Sequence, residues 1–141
     1  MNWVFIIIVG GDRIKKTLFI KQESQSDCGI ACLKCILSYY NIYPTSEYLK
    51  DLSLYDGTGV TLFGLKKVFE SLGFKCEALE GNISLENNYI LPCIAHLAID
   101  KNTNKYHYVV IYKISATKLY IMDPAKGKYN LTSEDFVSKS T

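Results

Sequence analysis

The stretch best suited to chemistry is "QESQSDCGIACLKC", residues 22–35, in which a cysteine follows a glutamine by six positions. A thiol becomes a nucleophile where something holds it as thiolate: a helix N-terminus, a nearby imidazolium, or both. Cys28 opens a run with helical spacing. It therefore falls in a first turn, where unpaired amides and the helix dipole favour negative charge. Cys32 and Cys35 lie deeper along the same run and lack that advantage.

A nucleophile of this kind needs a base, and the chain has 2 histidines, His96 in "PCIAHLAID" and His107 in "KYHYVVIY". Both fall on expected strands, and either also reads as a satisfied core or edge imidazole. Alternation puts His107 on the face of Val109 and Ile111, at the start of its strand, where a cleft can open. A third group must orient the imidazole and fix its tautomer. Asp123 ends "KLYIMD". If that run pairs with the strand of His107 through the turn "SATK", its end lies beside the start of the other. Alone, an Asp before Pro124 is a turn cap. Gln22, together with the Cys28 backbone N–H, is positioned to bind the oxyanion of a tetrahedral intermediate. Alone, it is an ordinary surface residue. The ordered set of four carries more weight than any member.

These residues must be held by elements that the apolar pattern predicts. From Cys28 to Tyr40 two apolar stripes run at three- and four-residue steps, the signature of a buried helix. Ser26 or Asp27 supplies its N-cap side chain. Upstream, "TLFIKQ" looks extended. Pro44 and Thr45 restart the chain into a short helix, "SEYLKDLS". The loop "YDGTG" leads into "TLFGLKKVFESLG", amphipathic through Leu62, Leu65, Val68, Phe69 and Leu72 and stopped by Gly73. Beyond Gly73 come four β-rich runs, "FKCEAL", "LPCIAHLAI", "KYHYVVIYKI" and "KLYIMD", separated by turns. The last segment, "TSEDFVSKS", reads as a weak closing helix. Helices first and an antiparallel meander afterwards predict an α+β domain in two layers.

The totals agree with one such domain. The chain has 141 residues, 48% of them hydrophobic and 21% charged, with 9 Gly and 3 Pro, which is a globular composition. A net charge of +2, without a clustered basic stripe, gives no footing for a nucleic-acid partner. The 5 cysteines cannot all pair within one chain and read as thiols in a reducing compartment. The opening "MNWVFIIIVGGDRIKK" has an apolar core far shorter than the roughly 20 residues that span a bilayer. Its basic residues follow the apolar run, whereas a secretory signal puts them before it. It reads as a first strand, a tail or a mis-assigned start.

Taken in order, Gln22 and Cys28 around "SDCGIAC", then "HYVVIY", then "MDPAKGK" resemble the peptidase domains of bacteriocin-processing ABC transporters, the double-glycine leader peptidases. The resemblance runs from about residue 17 to the C-terminus, so 17–141 is expected to be the peptidase domain. Residues 1–16 are an N-terminal extension outside the pattern. The resemblance implies a papain-like cysteine peptidase fold, with N-terminal helices packed on a C-terminal antiparallel sheet. It implies Cys28 as nucleophile, His107 as general base, Asp123 as its orienter and Gln22 in the oxyanion hole, with no cofactor and no metal. The implied reaction is cleavage after a Gly-Gly pair that ends the leader of a small secreted peptide, coupled to export. The implied partners are that leader and the membrane and ATPase domains of an ABC transporter, fused or separate, which places the chain in the cytoplasm, or at the cytoplasmic face of the membrane if it is part of a transporter. The sequence holds no P-loop, since "AKGK" is not one, so the chain reads as an excised or stand-alone peptidase. Gly10-Gly11, ending "VFIIIVGG", is itself such a pair and raises the idea of a self-substrate; a strand ending in a turn is the plainer reading.

Two other readings compete. A zinc module would use Cys28, Cys32 and Cys35 with His96, His107, Cys76 and Cys93, but structural zinc prefers paired cysteines on turns to cysteines inside an apolar helix. A non-catalytic module would hold a peptide for export on the same fold; an intact Cys28 and His107 argue against it.

Overall fold

The computed structural model describes residues 3–9, 17–81, 91–100, 105–132 and 134–135. Its elements, in chain order, are β1 (Trp3–Val9), α1 (Cys28–Ser38), α2 (Ser46–Leu52), α3 (Leu62–Ser71), β2 (Lys75–Gly81), β3 (Cys93–Asp100), β4 (Lys105–Ile114), β5 (Lys118–Asp123) and β6 (Gly127–Thr132). The strands form one six-stranded sheet in the order β2-β1-β3-β4-β5-β6, with every neighbouring pair antiparallel.

Helix α1 sits at the centre because its sequence leaves it no polar side on which to lie in water. All of its residues but Lys34 are buried. Leu33, Ile36 and Leu37 join Leu49 of α2, Leu65, Val68 and Phe69 of α3, and Ile94, Val110 and Met122 of the sheet in one apolar cluster. By strand alternation a second cluster lies on the opposite side of the sheet, built from Cys93, Ala95, Val109, Ile111, Leu119 and Ile121. The 5 cysteines are all buried free thiols, with no disulfide.

The two shorter helices follow their local signals. Thr45 caps α2 by accepting from the Tyr48 N–H at 3.2 Å, and Thr61 caps α3 by accepting from the Gly64 N–H at 3.0 Å. Gly73, at φ +89, carries the chain out of α3 in the left-handed conformation that glycine adopts without strain.

Trp3–Val9 forms a first strand, one of the readings its apolar run allowed. It lies between β2 and β3, so the sheet runs as a meander only from β3 to β6. Gly10 and Gly11 lie outside the described residues. The segment 17–22, read as extended, belongs to no helix or strand. Two features differ from the sequence reading. Gly127–Thr132 forms a sixth strand, which takes Thr132 away from the expected closing helix. Of that helix only Glu134 and Asp135 are helical among the described residues. Finally, Asp27 occupies the N-cap position of α1, yet its side chain makes no capping hydrogen bond.

Close approach of the helices sets one sharp constraint. A Cβ at Gly64 would stand 2.2 Å from the Ser53 carbonyl oxygen at the end of α2, against backbone that cannot turn aside. Gly64→Ala is expected to push α3 off α2 and destabilise the protein by about 1–3 kcal/mol, the usual cost of overpacking. Urea unfolding measures this, and an unchanged midpoint would show that α2 and α3 are not held this closely.

Candidate active site

The β4–β5 hairpin closes through residues 115–118, with the Ser115 N–H bonded to the Lys118 carbonyl at 2.9 Å. Its register sets Met122 opposite Val110, so Asp123 comes level with Val109, two positions from His107 and on the same side of the strand pair. The two side chains meet there. His107 Nε2 is 2.7 Å from Asp123 Oδ1. Both are buried, at 8% and 3% exposure. Asp123 is held firmly: the Ala125 N–H donates to Oδ1 at 2.9 Å, and the Tyr129 hydroxyl donates to Oδ2 at 3.2 Å.

Cys28 reaches the same place from the other layer. Helix α1 packs against β4, so its first residue arrives beside His107, with 9% exposure. Burial alone would lower the His107 pKa. Hydrogen bonds to Asp123 and to the Cys28 sulfur, with the charges of both, override burial and raise it from 6.5 to about 9. Because Asp123 occupies Nε2, Nδ1 is the ring nitrogen left for the sulfur. Asp123 responds in the opposite sense. Burial would raise its pKa, but the bonds from His107, Ala125 and Tyr129 and the His107 charge hold it below the usual carboxylate value.

The remaining thiols and the second histidine sit in environments that suppress charge. Burial, then the charges of Cys28, Cys35 and Asp123, pushes Cys32 well up. Burial drives Cys35 to about 12, Cys93 to about 12 and Cys76 to about 11. His96 stacks on Tyr108, with ring centroids 4.4 Å apart. Burial and the His107 charge lower its pKa to about 4, so it is neutral where His107 is an imidazolium. His107, not His96, is therefore the histidine that meets Cys28. Among the described residues no group of three or more His, Cys, Asp or Glu could hold a metal ion, which leaves the zinc reading without a ligand set there.

Gln22 is anchored to the same end of the sheet. Its backbone N–H donates to the Pro124 carbonyl at 3.0 Å, which ties the segment before α1 to the residue after Asp123. Its side-chain Nε2 donates one hydrogen to the Ser24 carbonyl at 2.9 Å, while Oε1 is buried without a hydrogen-bond partner among the described residues. Among those residues, the other Nε2 hydrogen is uncommitted. The structure thus brings His107 and Asp123 into direct contact, Cys28 against His107, and Gln22 beside the turn that follows Asp123.

Tyr129 escapes the sequence reading, because the apolar alternation across "GKYNLT" is slight. It lies opposite Ile121 in β6 and points at Asp123. A pairing of Asp27 with Lys50 of α2, at 3.4 Å from Asp27 Oδ1 to Lys50 Nζ, has no sequence signal at all.

Comparison with known proteins places this geometry in context. The model of the Peptidase C39 family matches residues 16–141. Among curated relatives, the lactococcin-G-processing and transport ATP-binding protein LagD of Lactococcus lactis is 39% identical over 131 residues, spanning 91% of this chain. The transport/processing ATP-binding protein ComA of Streptococcus pneumoniae is 32% identical over 108 residues, or 75% of the chain. This chain spans only 18% and 15% of those two proteins. Among solved structures, the peptidase domain of Streptococcus ComA superposes with a TM-score of 0.74 at 27% identity, covering 86% of this chain and 90% of that one. A double-glycine-motif protease from an AMS/PCAT transporter, solved with the leader peptide, gives a TM-score of 0.72 at 28% identity, covering 95% and 91%. The α+β arrangement of helices on an antiparallel sheet is thus that of these papain-like peptidase domains, and the chain belongs to the Peptidase C39 family.

Proposed function

We propose that this chain is a cysteine endopeptidase that removes the leader of a bacteriocin-like or signalling peptide by cutting after a Gly-Gly pair, as a step in the export of that peptide. Residues 17–141 are its peptidase unit, and strand β1 from the N-terminal extension completes the sheet. Among the described residues no helix is long and apolar enough to cross a membrane. The proposed partners are the precursor leader and the membrane and ATPase domains of an ABC transporter, and the proposed site of action is the cytoplasmic face of the membrane.

The observation that carries this reading is the single cysteine, of five, that faces an imidazolium oriented by a buried carboxylate. Asp123 accepts the Nε2 hydrogen and fixes the ring, so Nδ1 handles the proton of the Cys28 thiol. The thiolate attacks the carbonyl carbon of the second glycine and forms a tetrahedral intermediate. Its oxyanion is bound by the Cys28 backbone N–H and by the uncommitted Nε2 hydrogen of Gln22. The carbon–nitrogen bond then breaks while Nδ1 gives its proton to the leaving amine. Next, Nδ1 takes a proton from water, and the resulting hydroxide displaces the sulfur from the thioester, releasing the leader as a carboxylate.

Incubation with a precursor peptide whose leader ends in Gly-Gly, followed by mass spectrometry of the products, tests the reaction. The expected product is cut after the second glycine by wild type and uncut by Cys28→Ala or His107→Ala. His96→Ala and Cys35→Ala should remain active, and Asp123→Asn should lose less than His107→Ala. Gln22→Ala should lower the rate by roughly 10²–10³-fold, the size of losing one oxyanion donor, with little change in leader affinity. A leader that binds and is never cut would instead favour the non-catalytic module.

The raised His107 value also sets the pH behaviour. If the imidazolium form is the active one, kcat/KM should fall on the alkaline side with a midpoint near 9. Stability follows the same group. A folded-state pKa above the unfolded one contributes stability that is complete below about 6.5 and lost as pH rises through about 9. Thermal unfolding of wild type should therefore weaken across that window, and His107→Ala should flatten the slope.

A further inference from the structure

Asp27 directly precedes the nucleophile and is 4% exposed, with its carboxylate at the start of α1. An aspartate there ordinarily accepts hydrogen bonds from the first-turn amides. This one accepts none. Among the described residues, the first N–H of α1 with a backbone acceptor is that of Ala31, on the Asp27 carbonyl at 3.0 Å. Among the described residues no backbone carbonyl accepts from the N–H groups of Cys28, Gly29 or Ile30. The carboxylate is directed at α2 instead, where Lys50 Nζ lies 3.4 Å from Oδ1. This contact is an ion pair without an aligned hydrogen bond.

Helix α2 holds the same loop at a second point. Ser46 and Lys50 are four residues apart and share a helix face, as far apart in sequence as the two acids they meet. Ser46 Oγ donates to Glu23 Oε1 at 2.9 Å, and Lys34 of α1 reaches the same oxygen at 3.7 Å. The segment between Glu23 and Asp27 is thus clamped at both ends by one face of α2.

We propose that Lys50 is a positioning residue for Cys28: by drawing the Asp27 carboxylate onto α2, it keeps the first-turn amides of α1 open for the thiolate and the oxyanion. Freed from Lys50, the carboxylate would turn to those amides, its nearest donors. It would block them and bring a like charge close to the sulfur. The other groups facing Cys28 stay in place: His107 and Tyr108 of β4, Asp123 of β5 behind His107, and Cys32 one turn along α1. Because the inference rests on Cys28 as the nucleophile, Cys28→Ala is run alongside. If that variant still cleaves, the nucleophile assignment fails on its own account, whatever Lys50 does.

The test compares Lys50→Met, Asp27→Ala and the double variant in the whole chain. It reads the pH profile of Cys28 alkylation by iodoacetamide, kcat and KM on a Gly-Gly leader peptide, and urea stability. Lys50→Met is expected to move the alkylation midpoint up by about one pH unit, the effect of a like charge brought within a few ångström. On the acid limb of the pH profile its kcat should fall roughly tenfold, in step with that loss of thiolate, with KM unchanged. Asp27→Ala should lose stability through the broken clamp but keep the wild-type midpoint. The double variant, which leaves no unpaired buried charge and so folds even if Lys50→Met does not, should match Asp27→Ala. A double variant with its midpoint raised like Lys50→Met, or a folded Lys50→Met with the wild-type midpoint, would overturn the proposal. So would Asp27→Ala shifting the midpoint as far as Lys50→Met, because the pair would then act as a structural clamp alone.

Discussion

Burial of α1 is the constraint on which the rest depends. A helix apolar on two sides can satisfy both only by lying between other elements, and here α1 packs against α2 and against β4 of the sheet, sharing one apolar cluster with α3. Its axis and rotation are then fixed to the precision of a packed core. The residue at its N-terminus inherits that precision, so the packing of α1 against β4 sets where Cys28 lies. The same burial keeps Cys32 and Cys35 as neutral thiols deeper along the helix. On the proposed reading, one packing decision both brings the Cys28 sulfur to its base and silences its neighbours.

The charge at the site follows from a second economy. Asp123 is buried, and burial opposes its charge, yet three donors converge on it and leave it ionised. That carboxylate in turn offsets the desolvation of His107, which would otherwise be a weak, neutral base like His96. The two histidines part in opposite directions, His107 up to about 9 and His96 down to about 4 through burial and the His107 charge, although they stand on adjacent strands. Tyr129 therefore matters beyond packing: it holds Asp123, which holds His107, which meets Cys28.

Much of this is legible in the residues, because the signals are local or nearly so. The stripes of Cys28–Tyr40, the caps at Thr45 and Thr61, and the stop at Gly73 each lie within a few residues of the feature they specify. The approach of Asp123 to His107 is legible for a related reason: a short turn joins their strands, and alternation does the rest. What stays hidden depends on pairings far apart in the chain. No pattern in Trp3–Val9 says that it will lie between β2 and β3, which begin 66 and 84 residues after Val9 (75 − 9 and 93 − 9). The weak apolar alternation of "GKYNLT" is too slight to separate an edge strand from a loop. Asp27 reads as a helix cap, and only the folded chain brings Lys50 to it and changes its partner.

The claim at the centre of this account is that one sulfur in five is activated, and by His107. Alkylation with limiting iodoacetamide at neutral pH, followed by peptide mapping, measures it directly. The account predicts label on Cys28 alone at early times, and a sharp drop in its rate in His107→Ala but not in His96→Ala. Label appearing first on Cys32, Cys35, Cys76 or Cys93, or a Cys28 rate unaffected by the loss of His107, would contradict it.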